Sequence, residues 1–271
     1  MSKNISVAIG KGGVGKTTTA VNLAACLAAA EKKTLLIDFD PAGSCSDYLG
    51  FYPEKIEAGM FKVLSFTNSI HQVIHKTDLD YLDFIPSDIT TPEIEERLLH
   101  ITRYVYLFKN ILNDSELIKY DYIIIDCPPT LKGLTTIALN ASHSLLIPVK
   151  AGDFSILALR KLFNYYSWIK SHYNSQLQIE GILRTMYEKD TKAWTMTNEE
   201  LVKSYSSFLL DTVIPKNTTL IEAEFYHTPS ILFNAKAIGS QAYLELAQEI
   251  MLKNLRRPVI EQLEEQFHSV I

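Results

Sequence analysis

The 271-residue chain has only three cysteines, Cys26, Cys45 and Cys127, with no Cys-x-x-Cys pair and no histidine cluster beside any of them. That spacing excludes a disulfide framework and a zinc site and leaves the three as small, buried apolar side chains in a reducing compartment. Long apolar runs are also lacking: none approaches the roughly 20 residues that cross a bilayer, so no integral membrane association is expected. Met1-Ser2-Lys3-Asn4 leads into only about five apolar residues, too few for a signal-peptide core, and a cytoplasmic protein is expected. Positive charge is not in surplus, since 26 Lys and Arg face 31 Asp and Glu for a formal charge of −5. Any contact with nucleic acid would have to rest on a local patch. No Pro/Gly/Ser-rich linker, low-complexity segment or internal repeat divides the sequence, so a single domain over residues 1–252 is expected. Residues 253–271 then form an amphipathic helical extension with Ile260, Leu263 and Phe267 on one face and Glu261, Glu264 and Glu265 elsewhere.

What is present is enough apolar side chain, 47% of residues, to build a large core. Ile5 to Ile9 reads as a strand that stops at a glycine loop, and from Thr17 onward Ala20, Val21, Leu23, Ala24, Leu27 and Ala28 recur at helical spacing. Thr34 to Ile37 is the next strand and ends at Asp38, which makes the first forty residues a βαβ unit with parallel strands. Leu79 to Ile85 reads as a strand and Pro92 to Leu112 as a helix opened by proline. Tyr122 to Ile125, Ser144 to Val149 and Ile179 to Leu183 are further strands, Ile156 to Ile169 is helical, and Ser240 to Asn254 is a closing helix. Leu35-Leu36-Ile37 and Tyr122-Ile123-Ile124-Ile125 are apolar at every position, the mark of strands covered by helices on both faces. The expected fold is α/β: a doubly wound, mostly parallel sheet flanked by helices.

Gly10-Lys11-Gly12-Gly13-Val14-Gly15-Lys16-Thr17 satisfies the phosphate-loop pattern G-x-x-x-x-G-K-[ST], and it lies between a strand and a helix, where the mechanism needs it. Glycines let backbone N–H groups turn inward around a phosphate, and the helix N-terminus adds the positive end of its dipole. In that arrangement Lys16 reaches β- and γ-phosphate oxygens and Thr17 offers its hydroxyl to Mg²⁺. Asp126, at the end of the Tyr122 to Ile125 strand, is the matching Walker-B carboxylate, and Asp38 and Asp40 leave a strand tip on the same edge.

These residues carry a resemblance. Lys11-Gly12-Gly13-Val14-Gly15-Lys16-Thr17-Thr18-Thr19 is similar to the deviant Walker-A motif of the ParA/MinD ATPases, which has an extra lysine before the glycine pair. Leu35 to Pro41 resembles that family's second nucleotide motif, Tyr122 to Pro129 its Walker B and switch, and Val213-Ile214-Pro215-Lys216-Asn217 its adenine-side segment. The likeness spans roughly residues 4 to 252 and is strongest to short, Soj-like partition proteins. The resemblance implies a phosphate-loop ATPase that binds ATP and ADP with Mg²⁺ and closes a homodimer around two nucleotides. It implies that Lys11 reaches across to the phosphates of the other subunit and that Asp40 orients the attacking water. Thr17, Asp38 and Asp126 would serve the metal. Gly12, Gly13, Val14, Gly15, Lys16, Thr17 and Thr18 would cradle the phosphates, with Pro215 and Asn217 beside the adenine. Non-specific DNA, a ParB-like stimulating partner, slow hydrolysis, and a nucleoid-associated role in chromosome or plasmid segregation follow by the same implication.

The sequence departs from the family pattern at instructive places. Relatives read Asp-Pro-Gln-Gly-Asn where this chain has Asp40-Pro41-Ala42-Gly43-Ser44, and Gly10 is the form commoner among MinD-like members. Two arginines that commonly touch DNA align with Asp190 and Thr219; Lys189, Lys192, Lys203, Lys216, Lys236, Arg256 and Arg257 are the cations left to build a patch. An alternative is a MinD-like positioning ATPase acting on a membrane or protein surface through the C-terminal helix, though its three glutamates oppose anionic lipid. The same fold carries small-molecule kinases, amide-forming ligases and an iron–sulfur reductase. Cys127 directly follows Asp126, and Gly133 stands at the reductase's cluster-ligand position, which argues against a cluster.

Overall fold

The computed structural model describes residues 2–89 and 91–268, and side chains within them except at 53 and 256–268. Its eight strands are β1 (Lys3–Val7), β2 (Thr34–Asp38), β3 (His75–Lys76), β4 (Leu82–Ile85), β5 (Tyr122–Asp126), β6 (Ser144–Val149), β7 (Gln178–Tyr187) and β8 (Leu209–Pro215). They form one sheet in the order β3-β4-β2-β5-β1-β6-β7-β8, parallel except for β3, which pairs antiparallel with β4 at the edge. The helices are α1 (Lys16–Ala29), α2 (Ser44–Tyr48), α3 (Met60–Leu64), α4 (Pro92–Ile101), α5 (Leu107–Leu112), α6 (Leu134–Ala141), α7 (Asp153–His172), α8 (Lys192–Tyr205), α9 (Thr218–Phe225), α10 (Ser230–Phe233) and α11 (Ile238–His268).

The continuous apolar strands serve two cores at once, because successive side chains point to opposite faces. Leu35, Ile37, Ile123 and Ile125 join one core with Phe108, Ile137 and Leu159, under α5, α6 and α7. Leu36, Ile124, Ile5 and Val7 join the other, with residues of α1 and α11 such as Leu23, Leu27, Tyr243 and Leu246. Helix α1 is buried along most of its length, so its polar residues are spoken for. Thr19 shares a 3.2 Å hydrogen bond with the Tyr243 hydroxyl, Asn22 donates to Tyr48 and to Thr18 O, and Asn22 accepts from the Ser230 backbone. All three cysteines are buried and unbridged, as the sequence suggests.

The doubly wound parallel sheet expected from sequence is present, with local differences. The first strand ends at Val7, although Ala8 and Ile9 remain buried and Ala8 still donates to Leu146 O. β4 begins at Leu82, not Leu79, because Tyr81 adopts a left-handed backbone (φ 67°) that closes a turn tied by Thr77. The helix expected from Pro92 to Leu112 is two helices. Thr102 turns its hydroxyl back on Leu99 O, and Val105 O accepts from Asn140 Nδ2 at 2.9 Å, replacing a helical partner. Helix α11 runs without a break through residues 252 and 253, so the expected extension continues the last helix of the domain. The apolar and acidic faces drawn for residues 256–271, with Arg256 and Arg257, lie outside the described side chains.

Candidate functional site: a phosphate loop at the carboxyl edge of the sheet

β1 lies between β5 and β6, and the chain leaves β1 directly into the Gly10–Thr17 loop. A crevice at the carboxyl ends of parallel strands forms where the winding reverses. Gly13 (φ 63°) and Gly15 (φ 86°) take the left-handed conformations that turn the loop, and Gly15 caps α1. The loop is pinned from behind, since Thr185 on β7 donates its hydroxyl to Val14 O at 2.8 Å. Lys16 is almost fully buried, and its ammonium donates to Lys11 O at 3.2 Å, inside the loop. Lys11 goes the other way. Its ammonium reaches Ser155 Oγ at 3.2 Å and lies 5.8 Å over the exposed Phe154 ring, at the start of α7.

The carboxylates collect on the same edge. Asp38 and Asp126 are direct register partners on β2 and β5, and Val7 is the register partner of Asp126 on β1. Both carboxylates are completely buried. Asp38 accepts from the Asp40 backbone (3.2 Å), the Ser46 backbone (2.8 Å) and Ser46 Oγ (2.7 Å). Burial still outweighs these bonds and pushes its carboxyl up to about 7. Asp126 is also raised, first by burial and then by the charge of Asp38, with the Thr17 hydroxyl and Lys16 opposing. Neither oxygen of Asp126 has a hydrogen-bond partner of normal geometry among the described residues. Asp40, also buried, accepts from the Ala42 backbone at 3.0 Å.

Two buried carboxylates with two orphaned oxygens, beside a hydroxyl at a helix N-terminus, suit a hard cation. Among the described residues no three acidic, imidazole or thiolate groups converge as a protein-only metal cage. That fits Mg²⁺, which keeps water and phosphate oxygens and takes one or two protein ligands.

A cavity of about 370 Å³ opens from Gly15 and Thr18, passes Lys150, Thr185 and Met186, and reaches Pro215 and Asn217 at the end of β8. Asn217 Oδ1 itself is buried toward Gly239, without a partner among the described residues. The structure thus gathers the phosphate loop with Asp38, Asp40 and Asp126 at one edge of the sheet, and its Gly15 and Thr18 share a cavity with Pro215 and Asn217, although more than two hundred residues separate Lys11 from Asn217. Sequence reasoning missed Lys150. It directly follows β6, and its ammonium stands 3.8 Å from the place a Cβ on Gly13 would occupy. The signal was available, since a cation follows a buried strand on the edge already chosen for the site.

The positions that align with the family's DNA-contacting arginines are less uniform. Asp190 is exposed in a left-handed turn (φ 65°) and Thr219 is half-buried in the first turn of α9. Lys189, Lys192, Lys203, Lys216 and Lys236 are exposed, and Lys216 is paired with Glu188 at 2.8 Å.

Comparison with known proteins agrees with this geometry. The family model described as an AAA domain matches residues 2–179. The chain is 39% identical over 253 residues to the sporulation initiation inhibitor protein Soj of Bacillus subtilis (strain 168), covering 92% of this chain and 98% of that protein. It is 36% identical to the chromosome partitioning protein ParA of Myxococcus xanthus, over 90% of this chain and 86% of that one. Among solved structures, a plasmid-partition candidate of Borrelia burgdorferi B31 bound to AMPPNP superposes with a TM-score of 0.77 at 28% identity, covering 94% and 100% of the two chains. With its lysine-bearing loop, paired strand-end aspartates and end-to-end match to these proteins, the chain belongs to the ParA/MinD family of phosphate-loop ATPases, alongside the short Soj-like partition proteins.

Proposed function

We propose that this protein is a partition ATPase whose ATP-bound form is a nucleotide-sandwich homodimer and whose hydrolysis resets it. The observation that carries the reading is the divergence of the two loop lysines. Lys16 points into its own loop, whereas Lys11 points out of it toward Ser155 and the exposed Phe154. A lysine so directed can neutralise phosphates held by a second subunit, much as an arginine finger does.

Within each subunit the backbone of Gly12, Gly13, Val14, Gly15, Lys16 and Thr17 holds the phosphates, with Thr18 at the inner one. Thr17 and Asp126 would hold Mg²⁺, with Asp38 in support. Mg²⁺ would neutralise charge on the β- and γ-phosphates. Asp40 orients the attacking water. Pro215 and Asn217 lie beside the adenine. A ParB-like partner stimulates hydrolysis, and the dimer binds DNA without sequence preference, which places the protein on the nucleoid.

The test is dimerisation and duplex-DNA co-sedimentation with ATP or ADP for wild type, Lys11→Ala and Lys16→Ala. The expected pattern is an ATP-dependent dimer for wild type, nucleotide binding without a dimer for Lys11→Ala, and neither for Lys16→Ala. A Lys11→Ala dimer as stable as wild type would sink the sandwich. Dimerisation with no DNA retention at low salt would keep the switch and remove the nucleoid.

A further inference from the structure

Three ammonium groups surround one loop in a chain whose net charge is −5: Lys11, Lys16 and Lys150. Lys16 is turned to the inside of the loop and Lys11 to Ser155 on α7. Lys150 stands apart from both. It leaves the carboxyl end of β6, its ammonium approaches Gly13 at the crest of the loop, and its side chain also lines the cavity that continues past Gly15 and Thr18 to Pro215 and Asn217. Its ammonium makes no hydrogen bond or ion pair among the described residues. Of the acids lining the same cavity, Glu188 is already held by Lys216, and Glu224 belongs to α9. The position therefore lacks a counter-ion at the junction between the phosphate loop and the nucleoside cavity.

On the nucleotide reading above, a phosphate chain must cross that junction, with its outer phosphates in the loop and its inner ones toward the sugar. We propose that Lys150 is a third cation of the site, acting within its own subunit on the α- and β-phosphates, and that it strengthens ATP and ADP binding alike. The unliganded protein bears the cost of holding this charge. The Lys11 ammonium is depressed first by burial and then by the nearby Lys150. An anion placed between the loop and the cavity relieves that repulsion, so Lys150 favours the occupied state twice over: by direct contact and by removing strain among the cations. Because the contact is to inner phosphates, Lys150 does not distinguish triphosphate from diphosphate. That discrimination is left to Lys16 and to the lysine of the second subunit.

The experiment titrates N-methylanthraniloyl-ATP and N-methylanthraniloyl-ADP, with Mg²⁺, into wild type, Lys150→Gln, Lys150→Arg, Lys150→Glu and Lys16→Ala. Thermal melts without nucleotide check the folds. Loss of one charge-assisted contact predicts about ten-fold weaker binding of both nucleotides by Lys150→Gln. Lys150→Glu should lose more, and Lys150→Arg, which keeps the charge, should stay within about three-fold of wild type. The Lys150→Gln deficit should shrink as salt is raised, while the nucleotide-free melting temperature stays level or rises slightly as the repulsion with Lys11 is relieved. Equal affinities for wild type and Lys150→Gln would overturn the inference, and so would a loss confined to ATP, which would put the ammonium at the γ-phosphate. If wild type binds neither nucleotide, the nucleotide reading falls and takes this one with it. If Lys16→Ala loses binding while Lys150→Gln does not, only the role of Lys150 falls.

Discussion

Asp38 and Ser46, eight residues apart, are joined by two hydrogen bonds to one carboxylate oxygen, from the Ser46 backbone at 2.8 Å and from its hydroxyl at 2.7 Å. The same hydroxyl accepts from the Ser87 backbone at 3.0 Å, so one side chain links the end of β2, the short helix α2 and the segment after β4. Ser46→Ala removes a donor from a buried carboxylate and strands a buried N–H. A stability loss of about 1–2 kcal/mol is expected in urea unfolding without nucleotide. The lost donor also raises Asp38 further, so Mg²⁺-dependent nucleotide affinity at pH 7 should drop in the same variant. Unchanged affinity would detach Asp38 from the metal shell.

The pH dependence follows from the same carboxyl. Its ordinary value is 3.8 and the fold raises it to about 7. Between those values the folded chain keeps a proton that the unfolded chain has released, so stability without ligand is greatest in acid and declines as pH rises through this window. Asp126 is raised too, so Mg²⁺-nucleotide must displace protons from both carboxyls; its affinity runs the other way and weakens as pH falls through 7, by about ten-fold per unit for each displaced proton. Calorimetry in buffers of different ionisation heat should show proton release near pH 6 that shrinks as pH rises. Asp38→Asn should flatten the profile; a wild-type profile that is already flat would show that Asp38 is ionised in the free protein.

The paired aspartates and the loop were legible because each sits at a sequence landmark, the end of an apolar strand or the start of a helix. Where tertiary contacts override such landmarks, legibility stops. The break at Thr102–Tyr106 depends on Asn140 reaching Val105 O from α6, and no local pattern announces it. Strand β3 is two residues long and exists because β4 offers an edge. Gly10 was noticed as a family variation, and its reason is spatial: a Cβ there would sit 3.0 Å from Leu131 Cγ, in the segment that follows Asp126. Lys150 can be read as a cation after a buried strand on that edge, but its place beside Gly13 is set only by the fold.

A test of the sheet itself comes from Gly181, whose missing side chain admits Leu210. A Cβ at Gly181 would lie 2.4 Å from Leu210 Cγ and 2.5 Å from Cδ2, and Leu210 is buried between β8 and α11 neighbours. β7 is register-shifted in its pairings on both sides, so the strand is already irregular here. Gly181→Ala should cost about 1–3 kcal/mol by overpacking. Leu210→Ala in the same chain should recover part of that loss, whereas simple additivity of the two would mean that the contact does not limit packing.

The proposed DNA surface can be tested by adding charge. Asp190 is exposed and flanked by Lys189 and Lys192, and Thr219 lies in the first turn of α9, after the Lys216–Glu188 pair, so both positions can present a cation without entering the core. Asp190→Arg changes local charge by two and Thr219→Arg by one, and a dimer doubles both. Each added phosphate contact steepens the salt dependence of binding by about 0.9 in log–log slope. The double variant should therefore hold duplex DNA in the presence of ATP at salt concentrations that elute wild type, with a slope larger by two to four contacts' worth. The left-handed backbone at Asp190 makes arginine there cost about 1 kcal/mol, so a small fall in melting temperature should accompany the gain. Tighter binding in ADP as much as in ATP would mean that the new charges act on a monomer surface and not on a patch assembled by the dimer. No gain in either state would place the DNA contact, if this chain makes one, away from the β7–α8 turn and the start of α9.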